Sequence, residues 1–215
     1  MLSAWTATAA PTPELMQALE QFRTEGPKGW AFTQSTSSPD RSRVESFDPL
    51  QPYHLKWTLI AENNRPPEPS ELEKYRQQQM QRNGAGSAPN VKEQMDYDTA
   101  ELIAEDEAFS TWVFDLKASE TDDSSAEHMA VRLRFHKPSQ TITQVQLHST
   151  EPFSPVLGVK IQSAQTTIDY SLPDHDRPSL LQNIAVQVRG RAFFFKSLDS
   201  DLVVKYSDYR YAGKQ

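Results

Sequence analysis

The chain contains no cysteine. That excludes disulfides, thiol catalysis, cysteine-based zinc sites and an acylated N-terminal cysteine, while leaving the compartment open. Glycine is scarce, at seven residues, and scattered. There is no G-x-S-x-G elbow for a nucleophilic serine and no glycine-rich loop to cradle a phosphate. The five histidines form neither H-x-x-H nor H-E-x-x-H. No run approaches the roughly 20 apolar residues of a membrane-spanning helix. No basic stripe with interleaved aromatics is present, which argues against nucleic acid as a partner. These absences imply a protein that is not an enzyme and carries no cofactor and no metal.

What is present is enough residues for one sizeable core: 215 in all, 37% of them hydrophobic, with a clearly negative mean hydropathy. The expectation is a single domain over 12–215. Charge is uneven. Between Val91 and His128 twelve acids stand against two lysines, a local net of −10, which leaves +3 for the rest of a chain whose total is −7. Asp96, Asp98 and Glu101 in that stretch lack the spacing and central glycine of a calcium loop and read as a solvated acidic segment. Residues 83–98 are expected to be a mobile loop, opened by Asn83-Gly84-Ala85-Gly86.

Residues 1–11 are uncharged, and Ala7-Thr8-Ala9 has the form of a signal-peptidase site without a basic region before it. Two readings stand. One is the tail of a secretory signal whose start lies upstream; the other is an ordinary unstructured terminus. From Thr12, a capping residue followed by Pro13, a helix is expected with Leu15, Leu19 and Phe22 on one face. Strands are expected at Trp30–Gln34, Arg43–Phe47 and Tyr53–Ile60. In the last of these, Tyr53, Leu55, Trp57 and Leu59 alternate with polar residues. Ser70 and Glu73 form a capping box for a thinly apolar helix to about Arg82. Thr99–Glu107 is open between helix and strand.

From Thr111 onward short alternating segments follow one another, among them Met129–His136, Thr141–Ser149, Val156–Ser163, Thr166–Leu172 and Ile184–Leu198. This spacing predicts one large antiparallel sheet. Within it, Phe193, Phe194 and Phe195 in succession would place large rings on both faces of a strand, requiring apolar surroundings on each side.

The order of helix, three strands, helix and a long meander resembles the LolA/LolB-like lipoprotein-carrier superfamily. The residues that carry the resemblance are Leu15 to Phe22 followed by Trp30-Ala31-Phe32-Thr33-Gln34, then Phe47-Asp48-Pro49 and Tyr53-His54-Leu55-Lys56-Trp57. The resemblance implies an α+β fold, a curved, half-open antiparallel barrel-like sheet with two or three helices as a lid. It also implies a bacterial, periplasmic transport protein that binds a lipid or lipoprotein acyl chain, with an envelope protein as a further partner. A monomer is expected.

Trp57, Trp112, Phe114, Phe135, Phe193 and Phe195 are the residues expected to line the apolar cavity, since pockets of this kind combine apolar walls with few polar anchors. Arg189 and Arg191, flanking Gly190, are the expected head-group contacts. The competing reading makes the aromatics a filled core and the protein an interaction or sensor module. His128, Arg132, Arg134 and His136 alternate along one strand, with His148 across the hairpin, and read as a solvated basic face.

Overall fold

The computed structural model describes residues 10–24, 28–81, 91–117, 124–193 and 195–213. Helix α1 spans Pro13–Gln21, with the Thr12 side chain accepting from the Leu15 backbone N–H. Strands β1 (Trp30–Ser38) and β2 (Arg41–Phe47) form a hairpin, and β3 (Trp57–Glu62) follows a 3-10 turn at Tyr53–Leu55. Helices α2 (Pro69–Gln81) and α3 (Val91–Gln94) come next, then a 3-10 turn at Tyr97–Thr99. The remaining strands are β4 (Glu101–Glu105), β5 (Phe109–Asp115), β6 (Met129–His136), β7 (Thr141–Ser149), β8 (Val159–Tyr170), β9 (Leu181–Ala192), β10 (Lys196–Ser197) and β11 (Ser200–Tyr211).

All of these strands join one open antiparallel sheet, ordered β3-β2-β1-β11-β9-β8-β7-β6-β5-β4, with β10 attached to β9. The last strand therefore returns to pair with the first, so the N-terminal hairpin and the long meander share one sheet. Gly29 sits at the start of that seam with φ 89°, and a Cβ there would lie 2.5 Å from the Gly213 carbonyl oxygen. Only glycine accepts both conditions. The edge strands are β3 and β4; exposed Glu105 on β4 discourages edge pairing with another chain.

Cross-strand partners share a face, so the register traces one row across ten strands. It runs Leu102, Trp112, Leu133, Val145, Ile168, Ile184, Val204, Thr36, Arg43 and Glu62. Seven positions are apolar and the last three are polar. All three helices lie on this face. Leu15 and Leu19 of α1 and Met95, just after α3, join Trp112, Phe114, Val131, Leu133, Phe135, Ile142, Val145 and Tyr170 in the core. At the other end the Tyr75 hydroxyl of α2 donates to Glu45 at 2.7 Å and Arg43 lies over its ring. The opposite face carries polar ladders: Gln144 and Asn183 donate to Asp169, Arg132 donates to Gln146, and Arg189 pairs with Asp201. The result is an α+β layer structure with a long open sheet.

Several expectations need correction. Tyr53–Leu55 is not strand: Pro52 accepts from the Leu55 N–H at 2.8 Å and a 3-10 turn replaces the first half of the expected β segment. The segments 156–163 and 166–172 join in one continuous strand, Val159–Tyr170, whose pairing with β9 runs unbroken from Ser163 to Asp169, so no turn divides them. Thr99–Glu107 resolves into the end of a 3-10 turn and strand β4. Helix α2 starts at Pro69, and the returning carboxylate of its cap is Glu71, accepting from the Glu68 N–H at 2.7 Å. Of the loop expected over 83–98, residues 83–90 lie outside the described residues. Residues 91–98 are tied down by fully buried Met95, which bridges to Leu116. Phe193 does not continue β9; it has φ 50° and turns the chain outward. Phe194 lies outside the described residues.

Candidate functional site

The end of the sheet built from β1, β2 and β3 carries an aromatic cluster on the helix-covered face. Phe32, Phe47 and Trp57 are direct cross-strand neighbours. Their ring centroids lie 5.0 Å apart for Phe32–Phe47, 5.0 Å for Phe47–Trp57 and 5.7 Å for Phe32–Trp57. Tyr206 and Tyr209 of β11 flank Phe32 at 5.5 Å each. Burial raises the pKa of both tyrosines. The Tyr209 hydroxyl donates to the Leu181 carbonyl at 2.7 Å, which locks the closing strand against β9.

Helix α2 does not seal this cluster. Between it and the strands is a cleft of about 710 Å³, lined by Phe32, Phe47, Trp57, Leu59, Leu72 and Tyr75, with His54, Arg76, Gln79, Asp208 and Arg210 as polar members. Arg76, Arg210 and His54 are exposed, while Gln79 is buried. The lining is mixed rather than apolar, since Thr33, Ser46, Asp48, Gln51 and Thr58 also stand among the aromatic and aliphatic members; the size is in the range of small-molecule sites. A second hollow of about 230 Å³ beyond Tyr75 is lined by Arg41, Arg43 and Glu62. There both arginines bind the Glu62 carboxylate.

The expected cavity residues do not converge. Trp57 lines the cleft. Trp112, Phe114 and Phe135 are buried core under α1, with exposures of 2%, 0% and 3%; they line neither the cleft nor the second hollow. Phe193 and Phe195 are exposed beyond the end of β9. Of the expected head-group residues, Arg189 is paired with Asp201 on the opposite face at 2.8 Å and Arg191 is exposed near Phe193. Neither lines the cleft.

The histidines act separately. His128 pairs with Glu151 and stacks on Phe153, and His136 bonds Ser139. Burial, then the charge of Arg132, pushes the His148 pKa down. Arg134 lies 3.9 Å from the Phe109 ring centroid. Among the described residues no group of three or more histidines or acids could hold a metal ion, and no helix is long and apolar enough to cross a membrane.

From the sequence, Leu72 and Tyr75 read only as the thin apolar content of a surface-lying helix, and neither they nor Gln79 as part of a site. Their i, i+3, i+7 spacing is one face of a helix, a stripe too short to stand out in a chain of glutamines and glutamates. Arg76 and Arg210 carry no local signal at all. In comparisons with known proteins, no protein-family model, no curated protein and no solved structure matches this chain.

Proposed function

We propose that this protein is a non-enzymatic binding protein that holds an apolar ligand, a lipid or lipoprotein acyl chain, in the cleft between α2 and strands β1 to β3. The observation that carries the reading is the cleft itself: an aromatic floor of Phe32, Phe47 and Trp57 left open beside a helix that covers only part of it. A folded chain gains about 25 cal/mol for each Å² of apolar surface withdrawn from water. Leaving three large rings beside open space forgoes that gain, and an apolar guest restores it. Arg76, Arg210 and His54 at the same cleft offer donors to an acidic head group. A half-barrel of the lipoprotein-carrier kind, acting as a monomer in the periplasm with an envelope partner, belongs to this proposal through the sequence resemblance.

The test is native mass spectrometry of the purified full chain, followed by thermal melts with long-chain fatty acids. Bound lipid in the first, or a rise in Tm with acyl-chain concentration in the second, supports the reading. A homogeneous ligand-free mass together with unmoved melts would return the protein to the class of interaction modules with a filled interior.

A further inference from the structure

The four most exposed large apolar side chains among the described residues belong to two neighbouring loops. They are Leu157 at 101%, Phe195 at 88%, Phe193 at 64% and Val156 at 62%. One loop precedes β8 and the other follows β9, and the two strands end together at the Val159–Ala192 pair. The loops also touch. The Phe193 N–H donates to the Gly158 carbonyl at 2.7 Å, and the Phe193 ring lies 3.2 Å from where a Gly158 Cβ would stand. Both residues hold positive φ, 82° at Gly158 and 50° at Phe193. For phenylalanine this conformation is unfavourable, and it is adopted here to turn a large ring away from the sheet. None of these side chains serves the core, and none lines the cleft.

Positive charge is in excess beneath this apex. Lys160 and Arg191 stand directly opposite each other on β8 and β9, and Lys196 pairs with Ala192 one step further out. All three are exposed. Like charges facing across a ladder are unfavourable in isolation. One acid, Asp199, accepts from the Gly190 N–H at 3.1 Å and lies within electrostatic reach of Arg191, which leaves the three cations in excess. A cluster of exposed aliphatic and aromatic tips above a cationic collar is complementary to the headgroup region of an anionic bilayer, where rings and aliphatic ends sit in the acyl boundary and lysine and arginine meet phosphate.

We infer that the paired loops carrying Leu157, Phe193 and Phe195 dock the protein on an anionic lipid surface, with Lys160, Arg191 and Lys196 supplying the electrostatic contact. The attachment is peripheral and reversible, since a few side chains insert and no segment spans. It stands independently of the cleft reading.

Sedimentation of the full chain with phosphatidylcholine vesicles, and with vesicles of phosphatidylcholine and phosphatidylglycerol at 7:3, tests this. The chain carries a net charge of −7, so attraction to anionic vesicles has to be local. Binding is expected to the mixed vesicles and to fall with added salt. The double variant L157S/F195S should weaken it by about tenfold or more, because two large apolar side chains no longer enter the lipid. K160E/K196E should abolish the preference for phosphatidylglycerol. These positions are solvent-exposed, so unchanged melting curves identify both variants as folded. M80S, at an exposed apolar position on α2 away from these loops, should bind vesicles as the parent chain does. No binding to the mixed vesicles, or binding that L157S/F195S leaves intact, overturns the inference; a protein-docking tip would give the first of these.

Discussion

The two ends of the sheet use the same alternating face differently. Under α1, strands β4 to β8 bring together Trp112, Phe114, Val131, Leu133 and Phe135, and the helix covers them with buried Leu15 and Leu19. Under α2, strands β1 to β3 bring together Phe32, Phe47 and Trp57, but the helix contributes chiefly Leu72 and Tyr75 and leaves a cleft. The difference lies less in the strands than in what covers them. Helix α1 presents a tight apolar stripe, whereas α2 is rich in glutamine and glutamate and anchors itself with a polar contact, Tyr75 to Glu45. Complete cover makes a core, and incomplete cover makes a candidate site.

The largest expected effect contrasts the two ends directly. Phe114→Ala empties a fully buried position and should cost about 3–5 kcal/mol, whereas Trp57→Ala, already half-open, should cost about 1–2 kcal/mol. Urea denaturation of both variants checks this, and equal losses would erase the distinction between filled and open halves. Next is Tyr75→Phe, which removes the hydrogen bond to buried Glu45 and should cost about 1–3 kcal/mol. The same denaturation series reads it, and a neutral result would mean that α2 is not fixed by this contact.

A smaller effect should appear with acid. Burial works to raise the Glu62 pKa, but the hydrogen bonds and charges of Arg41 and Arg43 outweigh it and hold the carboxyl below its ordinary value. A carboxyl lowered in the folded state contributes stability that is complete above its unfolded pKa, about 4.3. That contribution is lost as pH falls through the lower folded value. Stability measured from pH 7 down to pH 3 should therefore drop at the acid end, and E62Q should flatten that part of the profile. Smallest of all is Asp201→Asn. Its pair with Arg189 is well exposed on both sides, and exposed pairs contribute little. Its Tm should match that of the parent chain within error.

Much of the fold was legible because local and global preferences agree. Thr12-Pro13 starts α1 where its stripe begins, and Met129, Val131, Leu133 and Phe135 alternate into a strand whose buried face is the core. What misled was pattern without backbone context. Tyr53 and Leu55 alternate like a strand, but Pro52 opens a 3-10 turn. Phe193 sits in a left-handed conformation that its residue type disfavours, so nothing local announces the turn. The site was less legible still. Aromatics that fill a core and aromatics that line a cleft have the same spacing, and only the cover distinguishes Trp112 from Trp57. Trp112 is covered by α1, near the start of the chain, whereas α2 follows Trp57 closely but brings few apolar side chains, and the cleft also borrows Asp208 and Arg210 from the last strand.

The most direct measurement of the central claim uses these two tryptophans as reporters. Fatty acids brominated along the acyl chain quench indole fluorescence at contact distance. Titrated into the full chain, they should quench a component that W57F removes and W112F leaves. Quenching that persists in W57F, or none at all up to the solubility limit of the fatty acid, would contradict an acyl-binding cleft beneath α2.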